Sequence, residues 1–117
     1  MNNLINEKCK PCEGLGEILE ESEIIKNLSE ISNWEYDRTK KTLHRQFIMK
    51  NFLAAVEFIN SIAAVAEEEN HHPDFTLRSY RKLRIELSTH ALKGVTKNDL
   101  IMAAKINALP VKLKASN

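Results

Sequence analysis

The stretch from Asn51 to Pro73 reads NFLAAVEFINSIAAVAEEENHHP, and the rest of the chain is organised around it. Apolar residues recur there at helical spacing, so we predict one long helix from Asn51 to Asn70. Proline has no backbone N–H and favours an extended conformation for the residue before it, so the helix should end ahead of Pro73. Two strand-like runs precede this helix and two follow it.

Two adjacent apolar stripes make this helix apolar over most of its circumference. One stripe contains Phe52, Val56, Ile59, Ala63 and Ala66, and the other contains Ala55, Phe58, Ile62 and Val65. A helix that packs broadly on a sheet would account for both stripes. Alternatively, the second stripe also contacts another subunit, and the sequence leaves both interpretations open.

Alternating apolar residues on both sides of the helix predict two β-hairpins. Before the helix, strand-like residues 34–36 are followed by a polar turn at 37–41 and an alternating run at 42–49. After it, residues 75–80 and 82–89 form two further strands. In the second of these, Leu83, Ile85 and Leu87 form an apolar face opposite a polar one.

Helices are predicted at both ends of this arrangement. Apolar spacing indicates a first helix at residues 24–31 with Ser22 as a candidate N-cap. A final helix runs from Thr96 to about Asn107, because Thr96 and Asp99 have the spacing of a capping box. The order α-β-β-α-β-β-α predicts an α+β fold, a four-stranded antiparallel sheet with helices packed on one face.

Composition indicates one small globular domain. We expect a flexible leader at residues 1–20 and a single domain at residues 21–117. The formal net charge of +1 argues against a nucleic-acid binder, and no apolar run approaches the roughly 20 residues that span a membrane. The start of the chain lacks the apolar segment of a secretory signal. We therefore predict a cytoplasmic protein with no membrane or nucleic-acid partner.

Cys9 and Cys12 form a single C-x-x-C pair in the predicted leader. A zinc ribbon needs a second pair, and the chain has no other cysteine. Two free thiols is the preferred interpretation, with a redox role or an intermolecular metal as the alternative.

Three of the four histidines, His71, His72 and His90, lie between Glu67 and Asp99. Imidazole can give and take protons near neutral pH, so the cluster indicates proton-transfer chemistry first and a metal second. Adjacent histidines in an extended segment chelate one ion poorly, which argues against a metal. A metal bound by His71, His90 and a carboxylate stays an alternative.

The surroundings of each histidine suggest roles. His71 follows the end of the long helix, where the dipole and Glu67, one turn earlier, would favour its charged form. His90 follows a strand whose apolar face is already assigned, and neighbouring Ser88 and Thr89 offer hydrogen-bonding groups to a flat heterocycle. Asp99 could orient a site residue as well as cap its helix. His44 is predicted to lie on the surface, and Tyr80 to serve packing.

These residues resemble the signature of the pterin-4a-carbinolamine dehydratase family. The matching positions are Glu67, His71, His72, Pro73, Tyr80, Thr89, His90 and Asp99. The likeness extends from Trp34 to Asn107, and it departs at Phe75, near which many members have tryptophan, and in a segment before Tyr80 that is one residue longer than in the animal enzymes.

The resemblance implies the same fold and an enzyme that needs neither a metal nor another cofactor. Its substrate would be a 4a-hydroxytetrahydropterin, converted to quinonoid dihydropterin and water in tetrahydrobiopterin recycling. The chain would form a homodimer or homotetramer. An alternative is a protein-interaction module, because animal relatives also act as dimerisation partners of a homeodomain transcription factor.

Site roles follow from the resemblance and the residue chemistry together. We predict that His71 and His90 are the main acid–base pair, and that His72 binds the ring and acts as a secondary acid. The sequence does not decide which histidine is the acid. The substrate-binding set is His71, His72, Pro73, Ser88, Thr89 and His90. Glu67 and Asp99 support it.

Overall fold

The computed structural model describes residues 4–9 and 18–115. The helices are α1 Glu21–Leu28, α2 Phe52–Glu69 and α3 Lys97–Asn107, and the strands are β1 Glu35–Asp37, β2 Thr42–Ile48, β3 Asp74–Arg78 and β4 Lys82–Leu87. The strands form one antiparallel sheet in the order β1-β2-β4-β3. The predicted α+β fold and its order of helices and strands are confirmed.

The core lies between the helices and one face of the sheet. Leu43 of β2 pairs with Leu87 of β4, and Phe47 with Leu83, so the alternating apolar residues of both strands point the same way. All four are buried, as are apolar residues of every α-helix. Strand alternation therefore sets which face of the sheet is covered.

The two stripes of α2 have different environments. Ala55, Phe58 and Ile62 of the second stripe are buried in the core, so they cannot also contact another subunit. That alternative is wrong for these residues. Phe52 of the first stripe is exposed, and so is Leu53 beside it. The large apolar side chains that α2 leaves exposed therefore lie at its N-terminal end.

The N-terminal region differs from the sequence predictions in two respects. Helix α1 begins at Glu21 with Glu20 as its N-cap, so Ser22 is inside the helix rather than its cap. Within the predicted leader, Leu4–Asn6 form a 3-10 turn, and Leu4 is buried in the core. Residues 10–17, including Cys12, lie outside the described part of the chain. The division of the chain at residue 20 stays a prediction.

Two other side chains do not lie where the sequence suggested. Tyr80 is exposed in the turn between β3 and β4, near Arg81, and does not serve packing. His44 is half-buried rather than on the surface, with Nε2 3.8 Å from Oε1 of Glu35 on the neighbouring strand. Period-two alternation identifies the polar face of a hairpin, but it does not show how much neighbouring side chains cover that face.

The connection from α2 to β3 positions the site. Asn70 ends α2 in the left-handed conformation, with φ 54°, which asparagine tolerates better than most residues. Asp74 at the start of β3 pairs with Glu86 near the end of β4. Antiparallel pairing therefore brings His71 and His72, just before β3, next to Ser88, Thr89 and His90, just after β4.

Candidate functional site

A cavity of about 580 Å³ lies where the end of α2 meets the end of β4 and the start of α3. All three histidines of the predicted site line it. Its lining residues are Cys9, Glu68, Glu69, Asn70, His71, His72, Ser88, Thr89, His90, Ala91 and Asn98. Pro73, Glu67 and Asp99, which the sequence also placed in the site, are not among them.

His71 is hydrogen-bonded to a buried carboxylate, that of Asp99. Its Nε2 lies 2.6 Å from Oδ1 of Asp99, and Asp99 has no exposed surface. The other oxygen, Oδ2, accepts from the backbone N–H of Thr96 at 2.9 Å and from the hydroxyl of Thr89 at 3.0 Å. The predicted capping box of α3 is confirmed. The same carboxylate caps α3 and fixes the His71 ring.

His72 has an exposed partner. Its Nε2 lies 2.5 Å from Oε2 of Glu67, and both side chains are more than half exposed. Helix spacing suggested that Glu67 would act on His71 instead, and that expectation is wrong. The left-handed Asn70 turns the chain after α2, so that His72 meets Glu67 while His71 reaches Asp99 of α3.

His90 lies in the loop between β4 and α3. Its ring is largely exposed, and Nε2 is 3.6 Å from Oδ2 of Asp74. The preceding residue, Thr89, is buried, and its backbone N–H donates to the carbonyl of Gly94 at 2.8 Å. The Thr89 amide therefore already has a hydrogen-bond partner within the loop, and this bond fixes the backbone next to His90.

Sequence reasoning missed several residues of the cavity, most notably Cys9 and Glu69. Burial raises the pKa of the Cys9 thiol to about 12, and the nearby charges of Glu69 and Asp99 act in the same direction. Cys9 therefore lies in the cavity wall as a neutral thiol. Residues 9 and 69 are 60 positions apart, and no spacing rule relates a polar leader to a distant helix end.

Within residues 4–9 and 18–115, no three side chains of histidine, cysteine, aspartate or glutamate are grouped as metal ligands would be. None of the helices in those ranges is long and apolar enough to cross a membrane.

The fold and the cavity define a small α+β protein with a histidine-lined pocket at one end of its sheet. Residues 17–109 match the family described as "Pterin 4 alpha carbinolamine dehydratase", and the chain belongs to that family.

Relatives of similar length support the family. A protein of Nitrosospira multiformis is 38% identical over 109 residues, covering 93% of this chain and 94% of the relative. A protein of Legionella pneumophila strain Corby is 44% identical over 112 residues, covering 94% and 97%. Both relatives have the provisional name pterin-4-alpha-carbinolamine dehydratase.

Two solved structures have a similar fold. The "transcriptional coactivator/pterin dehydratase" of Brucella melitensis superposes with a TM-score of 0.72 at 34% identity, covering 78% of this chain and 96% of that one. A pterin dehydratase-like RuBisCO assembly factor of the alpha-carboxysome superposes with a TM-score of 0.54 at 21% identity, covering 65% of this chain and 87% of that one. The second likeness shows the fold alone.

Proposed function

We propose that the chain dehydrates a pterin-4a-carbinolamine, such as 4a-hydroxytetrahydrobiopterin, to quinonoid dihydropterin and water by histidine general acid–base catalysis. The observation that supports this most is the grouping of His71, His72 and His90 around one cavity, with His71 fixed by buried Asp99. Membership of the dehydratase family agrees with it. The cavity volume falls in the range of small-molecule sites.

The proposed reaction is an elimination. The bond between C4a and the hydroxyl oxygen breaks, and its electron pair leaves with the oxygen, which takes a proton from an acid to form water. A base removes a proton from a ring nitrogen, and the electron pair left there forms the new double bond. Nothing is oxidised or reduced overall, so the balance calls for no redox cofactor.

The surroundings of His71 suit it to the role of base. Asp99 already accepts two hydrogen bonds from the protein, and His71 donates a third through Nε2. That bond places the proton of the neutral ring on Nε2 and leaves Nδ1 as the proton acceptor. A positioned base or acid of this kind contributes about 10²–10⁴-fold to a rate.

His90 and His72 take the remaining roles in this proposal. His90 is exposed at the cavity, where it can exchange protons with water and protonate the departing hydroxyl. His72 contacts the pterin ring and acts as a secondary acid, with Glu67 holding its ring. Ser88 lines the cavity and completes the substrate-binding set, whereas Pro73 is not part of that lining. Thr89 acts through Asp99.

Self-association and cellular role belong to the same proposal. Phe52 and Leu53 leave apolar surface exposed on α2, and strands β1 and β3 form the two edges of the sheet. Exposed edges and apolar patches are commonly covered by another subunit. We therefore propose that the chain forms a homodimer or homotetramer. Together with the proposed reaction, this gives an enzyme that would act in tetrahydrobiopterin recycling in the cytoplasm.

A second candidate function is a protein-interaction module, and the exposed Phe52 and Leu53 of α2 favour it. The Brucella melitensis structure is titled both as a transcriptional coactivator and as a pterin dehydratase. An apolar stripe on a surface helix can pack into a groove of a partner. Under this hypothesis the histidine cavity would be dispensable, and Phe52 and Leu53 would not.

Stopped-flow decay of a 4a-carbinolamine, with and without the purified chain, tests the primary proposal. We expect the decay rate to rise in proportion to protein concentration and to be unchanged by prolonged treatment with EDTA. A folded chain that leaves the decay rate unchanged contradicts the enzyme. Activity that is lost in EDTA and restored by zinc contradicts the metal-free mechanism.

A further inference from the structure

The last turn of α2 contains three consecutive glutamates, Glu67, Glu68 and Glu69, where the helix dipole disfavours negative charge. Glu67 contacts His72, and Glu68 is exposed. Glu69 differs from both, because only 2% of its side chain is exposed. A carboxylate is stable in such a place only when other groups satisfy its oxygens.

The groups that satisfy Glu69 come from two places. The backbone N–H of Cys9 donates to Oε1 at 2.8 Å, and the Nζ atoms of Lys8 and Lys105 each lie 3.7 Å from Oε2. Burial alone would raise the pKa of Glu69, but the Cys9 amide and the two lysines outweigh it and lower that pKa. Glu69 is therefore an ionised group that joins α2 to α3 and to the segment Leu4–Cys9, named here the N-terminal strap.

The strap has further contacts along α3. Leu4 is buried in the core, and Nζ of Lys105 donates to the carbonyl of Ile5 at 2.9 Å. Lys97 forms an ion pair with Glu7 at 2.7 Å. Contacts at both ends of this six-residue segment fix its path across the molecule.

The strap ends at the cavity. Cys9 lines it beside Asn98, with Sγ 3.6 Å from the Asn98 carbonyl oxygen. Among the described residues, every other one that lines the cavity falls within residues 17–109, which match the family, whereas Cys9 falls outside that match. The cavity therefore has one wall that the matched part of the chain does not supply.

We propose that the N-terminal strap forms a wall of the pterin cavity, with Cys9 as a specificity-determining residue and Glu69 as the positioning residue that holds it there. The part of this inference that concerns pterin rests on the proposed function. A neutral, half-buried thiol offers a small polarisable surface against a flat ring. Loss of the Glu69 charge would release the Cys9 end of the strap and open that side of the cavity.

Alkylation of Cys9 tests the position of the strap without any pterin. In a Cys12→Ser background Cys9 is the single cysteine, so the rate of its reaction with iodoacetamide can be followed by mass spectrometry. The charge of Glu69 also raises the pKa of the Cys9 thiol, so the rate constants are compared per thiolate, from the pH dependence of alkylation. On that scale we expect Glu69→Gln to speed alkylation about tenfold or more, because a buried charged acceptor and two ion pairs are lost. Glu68→Gln is the matched comparison, because Glu68 also lines the cavity and contacts Lys8 of the strap at 3.3 Å, but its side chain is 69% exposed. Since exposed ion pairs contribute little, we expect a change within about twofold.

Equal alkylation rates in wild type and Glu69→Gln would overturn the positioning role. If Glu69→Gln does not fold, hydrogen exchange of the Cys9 amide in the unmodified chain decides the matter. Slow exchange supports its bond to Glu69, and exchange at the rate of an unstructured peptide overturns it.

A stable 7,8-dihydropterin tests whether Cys9 faces the ligand. At about ten times its dissociation constant it should slow Cys9 alkylation about tenfold in the unmodified strap. Cys9→Ala should raise KM by about two- to fivefold while kcat stays within about twofold, since contact with the substrate is lost but the histidines are not. Alkylation that a bound dihydropterin does not slow would overturn the wall, whereas a chain without dehydratase activity would overturn the proposed function and leave the Glu69→Gln result standing.

Discussion

The site contains three pairs of a histidine with a carboxylate: one buried inner pair, His71–Asp99, and two exposed outer pairs, His72–Glu67 and His90–Asp74. Burial separates the inner pair from both outer pairs, whereas distance does not separate it from His72–Glu67. His71 and Asp99 are 2.6 Å apart with 12% and 0% of their side chains exposed. His72 and Glu67 are as close, at 2.5 Å, yet 54% and 77% exposed. Exposed ion pairs contribute little free energy, because water screens the charges and the side chains stay mobile. A hydrogen bond in a buried site is stronger, because the local dielectric constant is lower. The inner pair should therefore dominate the chemistry.

Asp99 also links the inner pair to the fold. Its two oxygens divide between His71 on one side and the capping box of α3 on the other. Glu67 lies on the exposed surface of α2 and has no such link within the described part of the chain. Changes at the inner pair should thus affect both rate and stability, and changes at the outer pairs should affect rate alone.

The largest effect is expected from His71→Ala. Removal of the proposed base should lower kcat by about 10²–10⁴-fold. The variant also leaves Oδ1 of buried Asp99 without its partner, so the melting temperature should fall as well. Stopped-flow dehydration rates with thermal melts measure both. Full activity in folded His71→Ala would remove the distinction between inner and outer pairs.

His90→Ala should have a smaller effect, about tenfold on kcat, because water can protonate a leaving hydroxyl at an exposed position. Its melting temperature should match that of the unmodified chain. The double variant with His71→Ala should lose less than the product of the two single losses, since the two groups act in one step. A loss equal to that product would indicate that the histidines act independently.

The sequence predicted the fold well because the signals are local. Alternation of apolar residues along β4 and the spacing of Thr96 with Asp99 each depend on neighbours within a few positions. It also predicted that His71 and His90 share a site, since antiparallel pairing of β3 with β4 brings together the segments that flank them.

The partners of the histidines could not be predicted in the same way. Which carboxylate contacts His71 depends on Asn70, whose left-handed conformation changes the direction of the chain after α2. The residue spacing of a helix does not predict that change of direction. The position of the N-terminal strap against Glu69 depends on contacts between residues 60 positions apart. Side-chain partners across such distances follow from packing of the whole domain rather than from any local pattern.

The third prediction concerns the link between the inner pair and α3. Thr96→Ala removes a capping-box side chain and the hydroxyl that hydrogen-bonds Thr89 at 2.8 Å, so the free energy of unfolding should fall by about 0.5–2 kcal/mol. Asp99 keeps its bonds to His71 and Thr89, so kcat should stay within about threefold. Urea unfolding and dehydration rates measure the two quantities, and a large loss of kcat with unchanged stability would contradict the assignment of Thr96 to the cap.

The smallest effect is expected from Glu67→Gln, and it tests the comparison most directly. The change keeps the side-chain length and removes the charge beside His72, at a distance as short as that of the inner pair. Since exposed pairs contribute about 0–1 kcal/mol, kcat/KM should fall by less than about fivefold. The difference in kcat/KM between the variant and the unmodified chain should shrink as sodium chloride is raised from about 0.05 to 0.5 M. Added salt shortens the distance over which exposed charges interact. Dehydration rates at the two salt concentrations give the result. A loss comparable to that of His71→Ala, independent of salt, would show that burial does not rank the pairs, and His72 would then share the main catalytic role assigned to His71.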